Sequence, residues 1–182
     1  REVARAAAEF LTQRRPGDHP FFLSVGFFNT HRPFPQPDPE PGPDYLMPPH
    51  PIPDTPRTRR DFAAYRASAR IMDDCAGVVL SALSDAGLDD RTLVISTTDH
   101  GIAFPHMKCN LYDTGMGVSL ILRAPGASPG VSDALVSHID IFPTVCDLIG
   151  IEKPKWLQGH SLVSVLQGKS ETDRKSTRLN SS

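Results

Sequence analysis

Long apolar runs are absent. No segment reaches eighteen consecutive apolar residues, so nothing reads as a membrane-spanning helix. Paired cysteines are absent too. Cys75, Cys109 and Cys146 are odd in number and far apart, with no Cys-x-x-Cys pair, which excludes an encoded disulfide framework or zinc ribbon. There is no excess of positive charge: 19 Lys+Arg against 21 Asp+Glu leave a net charge of −2, so nucleic acid is not an expected partner. No internal repeat is visible. The chain opens at Arg1, directly in helix-like sequence, and reads as a fragment whose targeting segment is out of view. With 182 residues, 39% hydrophobic and 22% charged, it can bury a core of ordinary domain size and is not compositionally disordered. The compositional excess is proline, 18 residues, about twice the usual ~5%.

The order of segments predicts an α/β domain, a mostly parallel sheet flanked by helices. Residues 2–14 read as a helix stopped by Pro16-Gly17. Residues 21–28 (FFLSVGFF) form an apolar run of strand length, suited to a strand covered on both faces. From Arg32 to Arg57, eleven of 26 residues are proline, which can be neither helix nor central strand. The segments on either side look like parts of one sheet, so residues 32–57 are expected to be a long surface loop, not a linker. Thr55-Pro56 offers an N-cap and a proline at the first helical position. Behind them Phe62, Tyr65, Ala69, Met72, Ala76, Val79, Leu83 and Ala86 recur at helical spacing until Gly87. Strands are expected at Thr92–Thr98 and Val118–Arg123, and a helix capped by Asp140 and ending at Gly150. Residues 1–169 thus read as one incomplete domain, and the polar tail 170–182 as disordered or non-native.

In an open parallel sheet, ligands sit outside the carboxyl ends of the strands. Two strands place polar residues there, His31 after the first and Asp99-His100-Gly101 after the second. Asp-x-Gly after a strand is equally the chemistry of a turn, and residue types alone leave the two readings balanced. His106 is read as structural and His138 as an exposed histidine. His50, in the proline loop, receives no role, and Cys109 is expected to be a small buried apolar residue.

The segment TLVISTTDHGIAFPHMKCNLYDTG resembles a signature region of the sulfatases, members of the alkaline-phosphatase superfamily. GFFNTHRPFPQP resembles the family's histidine-proline segment, SHIDIFPTVCDLIGI its later structural helix, and LQGHSLVSVLQG its Gly-x-Ser-Leu segment. Four such segments in order cover residues 18–169, in the flavour of the heparan N-sulfatase-like branch. The resemblance implies an alkaline-phosphatase-like fold, of which this chain is the C-terminal part. It implies Asp99 and His100 as ligands of a divalent cation, calcium first and zinc or manganese as alternatives, because imidazole is less usual around calcium. It implies Lys108 on a sulfate oxygen, and His31 binding sulfate or protonating the leaving group.

The departures from the family pattern carry equal weight. No Cys or Ser stands in Cys/Ser-x-Pro-x-Arg, the sequence converted to the formylglycine nucleophile, and the family's paired N-terminal Asp ligands are missing as well. The formylglycine is therefore expected outside these residues, and residues 1–182 alone are expected to be inactive. The full protein is expected to hydrolyse sulfate esters or sulfamates on sulfated sugars or glycosaminoglycan-type substrates, in an extracytoplasmic compartment (periplasmic, secreted or lysosomal). Asp-His-Gly also occurs in phosphodiesterases and phosphonate monoester hydrolases of the superfamily, which remain alternatives beside a non-catalytic scaffold.

Overall fold

A computed structural model describes residues 1–40 and 42–169. They form two compact units that divide between Leu122 and Arg123. The tail expected to be disordered lies outside the described residues.

In the first unit, helix α1 (Glu2–Thr12) buries Ala4, Ala7 and Leu11, an i, i+3, i+7 stripe that packs on the long helix α2 (Pro56–Asp85). The start of α2 follows the expected chemistry. Thr55 accepts from the Thr58 amide, Thr58 Oγ1 accepts from the Thr55 amide in return, and Pro56 occupies the first turn, where no amide is needed. The buried seam of α2 differs from the expected stripe. Small residues, Ala63, Ala64, Ala67, Ser68, Cys75 and Ala82, sit deepest together with Leu83, while Phe62, Tyr65 and Val79 flank them half-buried. Small side chains let neighbouring backbone come close, and the aromatics cover the resulting edges.

Strands β1 (Val94–Thr97) and β2 (Leu120–Arg123) pair directly. They run antiparallel, so the mostly parallel sheet expected from the sequence is not confirmed by the described strands. The reason lies in the connection. Residues 98–119 are long enough for a crossover but carry only a four-residue helix, α3 (Asp113–Met116), and they turn back at the edge they left. Thr97 Oγ1 donates to the Ser119 carbonyl (2.8 Å) and the Ser119 amide to Thr98 Oγ1 (3.2 Å), so the end of β1 lies beside the start of β2.

The apolar run 21–28 is extended but joins no ladder among the described residues. It nonetheless alternates with period two: Phe21, Leu23, Val25 and Phe27 are half-buried, whereas Phe22 and Phe28 are exposed. Phe21 and Leu23 pack against the cluster of Leu11, Ala82, Leu83 and Leu88, joined by Val94 of β1. Among its described residues the proline-rich segment contains a single 3-10 turn, Pro43–Tyr45, which contacts α2, and it buries Ile52.

The second unit is built on α4 (Ile141–Ile149) and the short α5 (Val163–Leu166). Gly150 ends α4 in the left-handed conformation (φ 73°), as its position at the helix terminus requires. Asp140 stands at the N-cap position of α4, but its side chain makes no capping bond there, which corrects the expected cap. It closes a 3-10 turn, His138–Asp140, by accepting from the Ser137 amide (2.8 Å), and its other oxygen accepts from the His160 amide (2.8 Å). The carboxylate is wholly buried, and these charge-assisted bonds offset its desolvation.

Candidate functional site

All four residues singled out in the sequence, His31, Asp99, His100 and Lys108, lie in the first unit. Three belong to the loop that follows β1. That loop is closed on itself at several points. The Gly101 amide donates to the Gly115 carbonyl (2.9 Å), Thr114 Oγ1 to the His106 carbonyl (2.8 Å), and the Tyr112 amide to Asn110 Oδ1 (3.0 Å). Two glycines make the closure feasible. A Cβ on Gly101 would lie 1.9 Å from the Thr114 carbonyl oxygen, and one on Gly115 would lie 2.3 Å from that of Met107.

Lys108 is half-buried and its amide reaches the Phe104 carbonyl (3.3 Å). On either side of it His106 (φ 63°) and Cys109 (φ 62°) occupy the left-handed region, uncommon for residues with a Cβ. Such strain is held by the contacts around it and concentrates at working sites. Cys109 is exposed, contrary to the expected small apolar role, because the left-handed turn carries it to the surface of the loop.

Asp99 and His100 are adjacent, with Nε2 of the imidazole 3.4 Å from Oδ2 of the carboxylate. His100 Nδ1 lies 2.7 Å from the Gly101 carbonyl. A carbonyl only accepts, so Nδ1 is the donor there and Nε2 is the ring nitrogen that faces Asp99. The carboxylate is 86% exposed and open to a ligand. Donors 3.4 Å apart suit adjacent positions around one cation, whether bonds are ~2.0 Å as for zinc or ~2.4 Å as for calcium. The pair therefore fits a divalent cation without selecting it. No group of three potential metal ligands occurs among the described residues.

His31 follows the extended segment and is exposed, its ring 5.0 Å from that of Phe28. Its Nδ1 lies 2.6 Å from the Arg32 carbonyl, an acceptor, so Nδ1 is the donor in that contact. The backbone before it is tied to α2. Asn29 Nδ2 donates to Ser68 Oγ (2.9 Å), and the Tyr65 hydroxyl bonds Thr30. Burial pushes the Tyr65 phenol above its ordinary range, against the opposing effect of that bond.

One apolar cluster underlies both loops. Ile52, Phe104 and Met107 are buried, with Phe34, Phe62, Tyr65 and Ile102 packed against them. Phe34 comes from the His31 segment, Phe62 and Tyr65 from α2, and Phe104 and Met107 from the loop that presents Lys108. Arg32 is the polar counterpart, and the reading of the sequence missed it. Its guanidinium meets Asp61 of α2 through two bonds (2.9 and 2.5 Å), donates through Nε to the Ala103 carbonyl (2.9 Å), and lies over the rings of Phe34 and Phe104. The Asp61 hydrogen bond holds its proton more firmly still, outweighing desolvation. The available signal was its place beside His31; its acidic partner, 29 residues on, is fixed only by the fold.

Comparison with known proteins gives one consistent result. The family model "Sulfatase" matches residues 1–151. Human N-sulphoglucosamine sulphohydrolase is 34% identical over 187 aligned positions, covering 82% of this chain and 37% of the relative. Among solved structures, a Bacteroides thetaiotaomicron sulfatase from a locus for the metabolism of multiple glycosaminoglycans superposes with a TM-score of 0.79 at 27% identity, over 93% of this chain and 39% of the other. A phosphonate monoester hydrolase from Silicibacter pomeroyi superposes with a TM-score of 0.58 at 32% identity, over 68% and 26%. The chain thus spans less than two fifths of the length of these relatives. The neighbours have the alkaline-phosphatase-like fold expected from the resemblance.

Proposed function

Because this chain belongs to the sulfatase family, we propose that it carries the sulfate-binding and leaving-group side of an active site that hydrolyses sulfate esters or sulfamates. One observation carries the reading: a single self-closed loop presents Asp99, His100 and Lys108, and its Ala103 carbonyl is bonded to the residue next to His31.

A sulfate monoester or sulfamate is anionic, and attack at sulfur concentrates charge on its peripheral oxygens. Fixed positive charge placed beforehand stabilises that state more than the ground state. Lys108 supplies a point charge from a loop that holds its backbone in a strained, defined conformation. His31 keeps Nδ1 on a carbonyl, so a proton for the departing oxygen or nitrogen is delivered from Nε2. Asp99 Oδ2 and His100 Nε2 hold a divalent cation, calcium first, with zinc or manganese as alternatives. When bound, it supplies further positive charge beside the sulfate oxygens. The nucleophile is a formylglycine outside residues 1–182, since no Cys or Ser in them stands in Cys/Ser-x-Pro-x-Arg. Residues 1–182 alone are therefore inactive.

Sulfated sugars of the glycosaminoglycan type are the proposed substrates and an extracytoplasmic compartment the proposed location. The human relative's name and the glycosaminoglycan locus of the structural neighbour support the substrate class, and family resemblance supports the location. The phosphonate monoester hydrolase neighbour, together with an imidazole at His100, favours phosphonate or phosphodiester hydrolysis as the second reading.

The test uses residues 1–169 joined to an upstream segment that carries formylglycine. Sulfate release from a sugar sulfate and from an activated aryl sulfate should both be measurable. His31→Ala should depress the sugar reaction far more, because an aryl leaving group needs little protonation. Equal losses would confine His31 to binding. Turnover of phosphonate esters without sulfate release would favour the second reading.

A further inference from the structure

The guanidinium of Arg32 is bonded or stacked to three separate parts of the chain at once, and none of these contacts belongs to the chemistry assigned above. It is covalently next to His31. Its NH1 and NH2 take both oxygens of Asp61 near the start of α2 (2.9 and 2.5 Å), and its Nε takes the Ala103 carbonyl in the loop of Asp99 and Lys108 (2.9 Å). Its Cζ lies 4.3 Å from the ring centroid of Phe34 and 5.0 Å from that of Phe104. The pair is partly solvated, with side chains 41% and 36% exposed. An ion pair at that exposure adds little to global stability. Its geometry is costly for a purely electrostatic role, because a bidentate fork, a third donor and stacking fix all degrees of freedom of a long side chain.

We propose that Arg32 is a positioning residue: with Asp61 as its anchor on α2, it sets the placement of the His31 segment relative to the loop that carries Lys108. The proposal rests on the sulfatase reading only for what those two residues bind. The clamp works through the planar fork. A lysine ammonium can meet Asp61 as a point charge, but it cannot hold the two carboxylate oxygens and Ala103 in one plane.

The test is amide hydrogen exchange on the full chain, for the parent, Arg32→Gln, Arg32→Lys and the near-isosteric Asp61→Asn. Residues 101–108 should exchange roughly tenfold faster in all three variants, the opening expected when a charged hydrogen bond of this class is lost. Residues 29–34 should follow, while the far end of α2 keeps its protection. Unchanged exchange at 101–108, restoration by lysine, or an increase spread evenly along the chain would overturn the proposal. Asp61→Asn keeps the test decisive if an Arg32 variant fails to fold. Sodium sulfate serves as a second probe. In the parent it should slow exchange in both segments, and in Arg32→Gln it should lose that joint effect; equal protection of both proteins would also overturn the clamp. Failure of sulfate to protect the parent would count against the sulfatase reading, and the exchange pattern without sulfate would still decide the clamp.

Discussion

Gly101→Ala offers the sharpest test of the loop architecture. The added methyl would lie 1.9 Å from the Thr114 carbonyl oxygen, 2.9 Å from its carbonyl carbon and 3.0 Å from the Gly115 Cα. Every one of these atoms is backbone, so no rotamer change relieves the contact. The carbonyl must retreat by about 1.1 Å to reach a 3.0 Å contact. Such a retreat strains the bond from the Gly101 amide to the Gly115 carbonyl, now 2.9 Å. Overpacking costs ~1–3 kcal/mol and a lost hydrogen bond ~0.5–1.5 kcal/mol. The expected destabilisation is therefore about 2–4 kcal/mol, a large part of a typical domain stability of ~5–15 kcal/mol. Urea unfolding gives the global value, and hydrogen exchange at residues 101–115 gives the local one if the loop opens before the rest. Gly77→Ala is the internal control. Gly77 lies within α2 and a methyl there meets nothing within 4 Å, so that change should stabilise by ~0.5–1 kcal/mol. A Gly101→Ala protein as stable as the parent, with the loop amides still protected, would refute the close approach on which the arrangement of Asp99, His100 and Lys108 rests.

Three further expectations follow from the same geometry. Lys108→Ala, measured in the joined protein that carries formylglycine, should lower turnover by ~10²–10³ while leaving the unfolding midpoint nearly unchanged, because a preorganised charge is lost and little packing with it; parent-like turnover would return Lys108 to a solvated role. His100→Asn should keep activity if calcium is the working ion, whereas loss of activity in the variant, with only zinc or manganese supporting the parent, would favour the imidazole-dependent reading. Tyr65 supplies a pH prediction: burial, its largest influence, raises its folded value above the unfolded ~10, so its contribution to stability is complete below pH ~10 and is lost as pH rises through the folded value. Stability followed from pH 8 to 12 should fall less steeply in Tyr65→Phe, and an unchanged alkaline limb would exclude this phenol as its source.

Local rules made part of this protein legible in its sequence. Thr55-Pro56 marks the start of α2, Gly150 the end of α4, and the β-branched run around Val94 the strand that leads to Asp99, because each is decided within a few residues. The direction of β2 was not legible, since a 22-residue connection is compatible with a crossover or a return, and the bonds of Thr97 and Thr98 to Ser119 distinguish them. Residues 21–28 have the alternation of a strand, but pairing depends on a neighbour that their own pattern does not specify. The candidate site divides in the same way. Residue types and their place after strands drew attention to His31 and Asp99, whereas Arg32 acquires its importance from contacts 29 and 71 residues away. Asp140 reads as a cap of α4 from its type and place, yet its side chain ties the Ser137 and His160 amides instead, and the second lies 20 residues on, where only the fold brings it.

The closure of residues 98–119 also limits how the gene can change length. An ordinary surface loop absorbs an inserted residue for little entropy. Here the Thr97–Ser119, Gly101–Gly115 and His106–Thr114 ties divide the loop into short arcs whose lengths must all agree. One residue added between Gly101 and His106, or between Thr114 and Ser119, would carry a left-handed residue or a glycine out of the only position that suits it. Between Phe34 and Thr55 the described residues of the proline-rich stretch are held at fewer points: Ile52, the turn at Pro43–Tyr45, the Asp38–Arg70 ion pair and the Arg59 bonds to Asp54 and the Asp44 carbonyl. Insertions in that stretch should therefore be tolerated far better than insertions into the arcs bearing Asp99, His100 and Lys108.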